Sequence, residues 1–155
     1  MSDAVKADPQ AVAEAVRDAM WRDDHASKAL GMRVVAVGPG SATLEMTVRQ
    51  DMLNGHAICH GGLMTTLADS TFAFACNAYN ELTVASGFDV NIIASAKLGD
   101  VLTATGTEVA KTRRTGVYDI DVRDQNGKRI AAFRGRSMTL TGKLIVPHLP
   151  ATRGL

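Results

Sequence analysis

The chain has 155 residues, enough for one domain with a substantial core. Apolar residues make up 46% of it, charged residues 21%, and the formal net charge is +1, the balance of a globular protein with no electrostatic signature of nucleic-acid binding. No apolar run approaches the roughly 20 residues that span a bilayer, so no membrane segment is expected.

The first residues, MSDAVKADPQ, lack the charged and apolar regions of a secretory leader, which predicts a cytoplasmic protein. In that compartment Cys59 and Cys76 are not expected to form a disulfide framework. They read as small buried hydrophobes. Neither they nor the histidines at 25, 56, 60 and 148 have the spacing of a metal site, so no metal is expected.

Asp8 and Pro9 are a good N-cap and first helical residue, and Val12, Ala15, Val16, Ala19 and Met20 recur on one face, which predicts a helix over 9–22. A short helical turn, HASKAL, should end at Gly31. MRVVAVG reads as a strand, followed by a Gly38-Pro39-Gly40 turn. SATLEMTVR alternates Ala42, Leu44, Met46 and Val48 against polar residues, making it the second arm of a hairpin. Residues 50–60 read as a loop, and 61–79 as a helix that is apolar nearly all round and must be enclosed. From Glu81 onward the pattern is strands: LTVASGFDVNIIA, VLTATGTEVAKT, VYDIDVRD and KRIAAFRGRSMTL, with a strong hairpin signal at Asn126-Gly127. The chain therefore divides into an N-terminal helical extension (1–24), a main domain (25–141) and a tail (142–155) expected to be loosely held. The fold class is α+β, a long central helix wrapped by a curved antiparallel sheet of about six strands, with an extra N-terminal helix.

One stretch carries chemistry. In NGHAICHGGLMTTLADSTFAFACN, residues 54–77, Asp69 interrupts the apolar helix among Thr65, Thr66, Phe72 and Ala73. A charge on a core helix is costly unless it is paired or reactive. Glycines at a helix start leave backbone N–H groups open to an anion or a developing oxyanion. Together they suggest an acyl-transfer site.

These residues, with VAS at 84–86, GD at 99–100, TGVYDIDV at 115–122 and FRGRS at 133–137, resemble the PaaI-type acyl-CoA thioesterases of the hot-dog superfamily, the phenylacetyl-CoA thioesterase family, across roughly residues 20–141. One departure is Ala94-Ser95-Ala96-Lys97, where relatives usually carry a proline before the Gly-Asp turn. The resemblance implies a hot-dog fold and hydrolysis of phenylacetyl-CoA or a related aryl or medium-chain acyl-CoA. No cofactor is implied, coenzyme A being part of the substrate. Asp69 would be nucleophile or general base, and the Gly61 N–H would polarise the thioester carbonyl. Asn54 would help to place substrate and nucleophile, although Asn54-Gly55 also reads as a turn. His60 would orient the turn or touch the thioester, and Gly62 would shape the same helix start.

Lys111, Arg113 and Arg114 are either solvated hairpin charges or contacts for the coenzyme A phosphates. Val84, Ala85 and Phe88 would lie at a dimer seam and flank the acyl group. Phe72, Phe74 and Phe88 taken singly read as core, and Met32, Met46, Met52 and Met64 as packing. Two other readings stay open: a non-catalytic acyl-CoA-sensing module, and a hydratase or dehydratase of the same fold. The absence of a histidine after Asp69 on its helix argues against the latter.

Gly61 and Asp69 are eight residues apart, about 12 Å along a helix at roughly 1.5 Å per residue. A nucleophile and an oxyanion donor must both sit within about 3 Å of one reacting group. Two antiparallel copies satisfy this where one helix does not. The expectation is a dimer with shared sites, and by resemblance a dimer of dimers.

Overall fold

The computed structural model describes residues 6–152. Residues 1–5 of the N-terminal extension and 153–155 of the tail lie outside the described residues.

Local sequence explains most element boundaries. Helix α1 spans Pro9–Arg22, with the Asp8 carboxylate accepting from the Gln10 N–H at 3.1 Å and Val12, Ala13 and Val16 buried. Helix α2 (His25–Ala29) starts on Asp24, whose side chain accepts from the Ser27 N–H, and the chain turns away at Gly31 with φ +69. Strands β1 (Arg33–Gly38) and β2 (Ser41–Thr47) form the expected hairpin, with Ala42, Leu44 and Met46 facing inward. After a 3₁₀ turn at Gln50–Met52 comes helix α3, Gly61–Asn77. Strands β3 (Glu81–Ile92), β4 (Val101–Lys111), β5 (Thr115–Arg123) and β6 (Arg129–Leu144) follow.

All six strands form one antiparallel sheet in the order β1-β2-β4-β5-β6-β3. Strand β3 follows α3 in the chain but pairs with β6 at the far edge, so the sheet bends around α3, which touches β2, β3, β4, β5 and β6. The core lies in that concavity. Phe72 packs at 5.6 Å from the Tyr118 ring and 5.9 Å from that of Phe133. Strand β6 crosses directly over Phe72 because residue 135 is glycine; a Cβ there would lie 2.8 Å from the ring. Met32, Met46, Met52 and Met64 are all buried, as the pattern predicts.

Two expectations need correction. Helix α3 is not wholly enclosed. Gly62 is exposed, and Thr65, Thr66, Asp69 and Ala73 stay half-exposed along one stripe, because the sheet wraps only the opposite side. The tail is not loosely held as far as Thr152. Strand β6 continues to Leu144, Val146 is buried against Val12 and Val16 of α1, and Asn80 clamps the chain. The Asn80 amide donates to the carbonyls of Val146 at 3.1 Å and Leu149 at 2.9 Å, and its Oδ1 accepts from the Val146 N–H at 2.8 Å. The clamp is invisible in the tail's own composition because its donor lies 66 residues upstream.

Asn80 is fully buried with φ +67, a conformation that costs asparagine less than alanine. Asn80→Ala is expected to lower stability by about 3 kcal/mol, from unpaired buried backbone groups plus left-handed strain. Asn80→Gly should recover about 1 kcal/mol of that loss, the strain component alone. Urea midpoints of the two variants check this.

Candidate active site

The start of α3 is fixed from both sides. The Cys59 N–H donates to the Ala96 carbonyl and the His60 N–H to the Met52 carbonyl, each at 2.8 Å. Ala96, part of the segment that departs from the family's proline, thus pins the turn into the helix. Asn54 organises the preceding loop: its Oδ1 accepts from the His56 N–H at 2.9 Å and the Ile58 N–H at 3.4 Å. This is the turn role read from the sequence, and it leaves the Nδ2 donor for other use. Ala57 holds φ +59 in the same loop, an unfavourable conformation for alanine.

His60 is the N-cap of α3 but its side chain makes no capping bond. Its carbonyl receives the Leu63 N–H at 2.9 Å, so helical bonding begins there. The N–H groups of Gly61 and Gly62 have no partner among the described residues. They sit at the positive end of a 17-residue helix. Neither glycine is demanded by the fold: a Cβ at Gly61 would find its nearest atom at 3.7 Å on Ile92, and one at Gly62 would meet His60 Nδ1 at 3.7 Å, both ordinary contacts. The helix start is therefore open to something outside this single chain.

Asp69 lies two turns further along, half-buried on the open stripe. The hydroxyls at i−4 and i−3 do not serve it. Thr65 Oγ1 donates to the Gly61 carbonyl at 2.9 Å and Thr66 Oγ1 to the Gly62 carbonyl at 2.8 Å. Among the described residues no hydrogen bond or ion pair meets the Asp69 carboxylate. Burial pushes its pKa above the usual aspartate value. Asp119 shows the contrast: its bidentate contact with Arg134, at 2.6 and 2.7 Å, holds it below that value. An unpaired carboxylate biased toward protonation is suited to taking a proton or attacking a carbonyl.

The substrate candidates fall into separate places. Val84, Ala85 and Phe88 lie on β3, the sheet edge. Phe88 is 41% exposed and stacks on Phe133 with ring centroids 4.8 Å apart, so it is not core, unlike Phe72 and Phe74. Lys111 points its ammonium at the Tyr79 ring, 5.2 Å from the centroid. Arg113 and Arg114 are exposed on the turn between β4 and β5 and line a different groove of about 470 Å³.

Comparison with known proteins fits this geometry. The thioesterase superfamily pattern matches residues 56–131, which contain the open helix start and Asp69. Over 126 residues the chain is 41% identical to the acyl-coenzyme A thioesterase PaaI of Escherichia coli (strain K12), covering 81% of this chain and 90% of that one. The chain belongs to the PaaI-type thioesterases of the hot-dog superfamily. The solved E. coli PaaI protein from the phenylacetic acid degradation operon matches the fold with a TM-score of 0.86 at 39% identity, covering 88% of this chain and 99% of that one. A Streptococcus mutans protein solved with acetyl-CoA bound matches with a TM-score of 0.69 at 27% identity, over 73% of this chain and 90% of its own.

As a PaaI-type thioesterase the chain is a thioester hydrolase, and one broad concavity lies apart from the candidate residues for that chemistry. That concavity, about 860 Å³ on the outer face of the sheet, contains neither Asp69 nor Gly61. Its arginines are all paired with lining aspartates: Asp119 pairs with Arg134, and Asp121 with Arg123 and Arg129. Sequence reasoning missed Lys143, which joins Arg113 and Arg114 in the basic groove. Only the extension of β6 to Leu144 brings it alongside the turn. No helix among the described residues is long and apolar enough to cross a membrane.

Proposed function

We propose that this chain hydrolyses acyl-CoA thioesters to the free acid and coenzyme A in the cytoplasm, at sites shared between two copies, with phenylacetyl-CoA or a related aryl or medium-chain acyl-CoA as substrate. The observation that carries the reading is the pairing of an unpartnered, half-buried Asp69 with an open, glycine-lined helix start on the same helix. The thioester carbonyl oxygen accepts from the Gly61 N–H, and negative charge that develops on it is stabilised by the helix end. Asp69 either takes a proton from the attacking water or attacks the carbonyl itself, forming an anhydride that water then opens. In both routes coenzyme A leaves as the thiolate and is protonated. His60 and the Asn54 Nδ2 border the same turn and orient the thioester. The likeness to the E. coli acyl-coenzyme A thioesterase supports this substrate class.

Dimerisation is supported by the open side of the sheet. Leu82, Val84, Phe88, Ile92 and Ile93, on or next to β3, are between 37 and 55% exposed. A long, apolar, unpaired edge strand is an aggregation hazard unless covered. A second copy pairing along β3 covers it and sets the two α3 helices side by side. Antiparallel pairing then brings Gly61 of one near Asp69 of the other, which the roughly 12 Å within one helix prevents. The pairing of dimers into a tetramer is proposed from the family resemblance.

Thiol release from a panel of acyl-CoAs, phenylacetyl-CoA included, tests the activity. Turnover with aryl or medium-chain thioesters is the expected result, and no thiol from any acyl-CoA overturns it. A single turnover in ¹⁸O-water tests the anhydride route: label entering Asp69 means an anhydride opened at the aspartyl carbon, whereas label confined to the product acid fits activated water or an anhydride opened at the acyl carbon.

A further inference from the structure

Strand β3 runs back alongside α3. The two are tied at one end, where the Asn77 side chain donates to the Thr83 carbonyl at 2.9 Å and accepts from the Thr83 N–H at 2.8 Å. They meet again at the other end, where a Cβ built on Gly61 would find Ile92 Cγ1 at 3.7 Å and Cδ1 at 4.0 Å. On a helix both the N–H and the Cα–Cβ bond lean toward the N-terminus. Ile92 therefore borders the space into which the Gly61 N–H points.

Ile92 does little for the core of its own chain. It is 46% exposed, and its neighbour across the sheet is the small residue Ala131 on β6. Pairing with β6 is regular from Gly87 to Ile92, so Phe88, Val90 and Ile92 form one row on one face of the strand. Phe88 stacks on Phe133, which packs in turn against Phe72 of α3, so the row faces the helix. Two lengths then agree. Gly61 and Asp69 are about 12 Å apart along α3, and Ile92 and Phe88, four residues apart on β3, are about 13 Å apart at roughly 3.3 Å per residue. Because β3 runs antiparallel to α3, Phe88 lies level with Asp69 as Ile92 lies level with Gly61. The pairing that brings Gly61 of one copy to Asp69 of another therefore brings Ile92 of the first to Phe88 of the second.

We propose that Ile92 sets acyl selectivity: it packs on the carbon next to the thioester carbonyl, and the acyl group is held between Ile92 of one copy and Phe88 of the other. The proposal rests on the acyl-CoA reading above and adds Ile92 as a specificity-determining residue. The Phe88 ring offers a flat apolar face to an aryl group, while the branched Ile92 side chain limits bulk beside the carbonyl.

The test compares phenylacetyl-CoA with α-methylphenylacetyl-CoA, which carries one more methyl on that carbon. Ile92→Ala should raise the kcat/KM ratio of the branched to the unbranched substrate about tenfold, and Ile92→Phe should lower it by a similar factor. Ile92→Phe keeps the apolar bulk of the edge, so it reads selectivity even if alanine loosens the association of copies. Affinity for coenzyme A alone, by calorimetry, should stay within about twofold of wild type. A merely structural isoleucine would change the rates with both substrates equally, and an unchanged ratio overturns the proposal. A double-mutant cycle with Phe88→Leu tests the sharing. Side chains about 13 Å apart in one chain should act additively, within about twofold. Coupling of about fivefold or more on the branched-to-unbranched ratio supports contact across two copies, and additivity overturns it. Ketone analogues of both substrates, with methylene in place of the thioester sulfur, separate the two claims. A shift of about tenfold in their relative affinity in Ile92→Ala supports the acyl contact even if no acyl-CoA is hydrolysed, whereas hydrolysis with no such shift overturns the contact and leaves the activity standing.

Discussion

Asp69→Asn is expected to lower kcat by about 10²–10⁴-fold, with KM changed much less. Asparagine keeps the shape of the half-buried side chain but can neither accept the proton of an attacking water nor attack a thioester. The pH dependence follows from the same burial. Because desolvation raises the Asp69 pKa, the acid limb of the wild-type rate profile should lie above the ordinary aspartate range, and the rate should rise with pH through it. The stability effect has the opposite sign to the activity effect. A carboxyl whose folded pKa exceeds its unfolded value, near about 3.9, holds a proton in the folded state that the unfolded chain has released. Stability therefore falls as pH rises through that window, and the penalty remains at neutral pH. Asp69→Asn removes the penalty, so the variant should melt higher than wild type at pH 7, with the difference vanishing below the unfolded pKa. A variant that is both active at the wild-type rate and no more stable would sink the assignment of Asp69.

Gly61→Pro is expected to lower kcat by about 10²–10³-fold while leaving the fold intact. Proline removes the N–H proposed to stabilise the oxyanion, yet it is a favoured residue at the first helical position. His60 already has φ −61 and ψ 129, the extended conformation required before proline. The loss should therefore appear in kcat, with unchanged circular dichroism and melting temperature. Combining this variant with Asp69→Asn tests the shared site. If equal amounts are denatured together and refolded, random pairing makes about half of the dimers mixed, each with one site that has both groups and one that has neither. Activity should recover to about one quarter of wild type, although each variant alone is nearly inactive. Recovery no greater than the average of the two would place both groups in one chain's site, against the spacing along α3.

Much of this arrangement was legible in local patterns. Alternation in 41–48 gave the inward face of β2 before any contact was known, and Asp8-Pro9 marked the start of α1 within a residue. Asp69 stood out because its helical neighbours were apolar or small. Where the reading failed, the cause lay in distant segments. The tail from Gly142 has no periodicity of its own, and it is held by Asn80, Val12 and Val16. Phe88 has the composition of a core residue, yet β3 sits at the sheet edge with nothing covering it in one chain. Lys143 and Ile92 could not be singled out, since only the extension of β6 and the return of β3 along α3 place them beside the basic turn and Gly61.

The sequence by itself determined the elements, the candidate carboxylate and the separation between it and the helix start, because helix rise and side-chain period are local properties of the backbone. Tertiary structure decided what surrounds those groups. It left a stripe of α3 and the edge of β3 open, kept the hydroxyls of Thr65 and Thr66 from Asp69, and set Ile92 beside Gly61. Burial and pairing depend on segments far apart in the chain, and no local pattern records them.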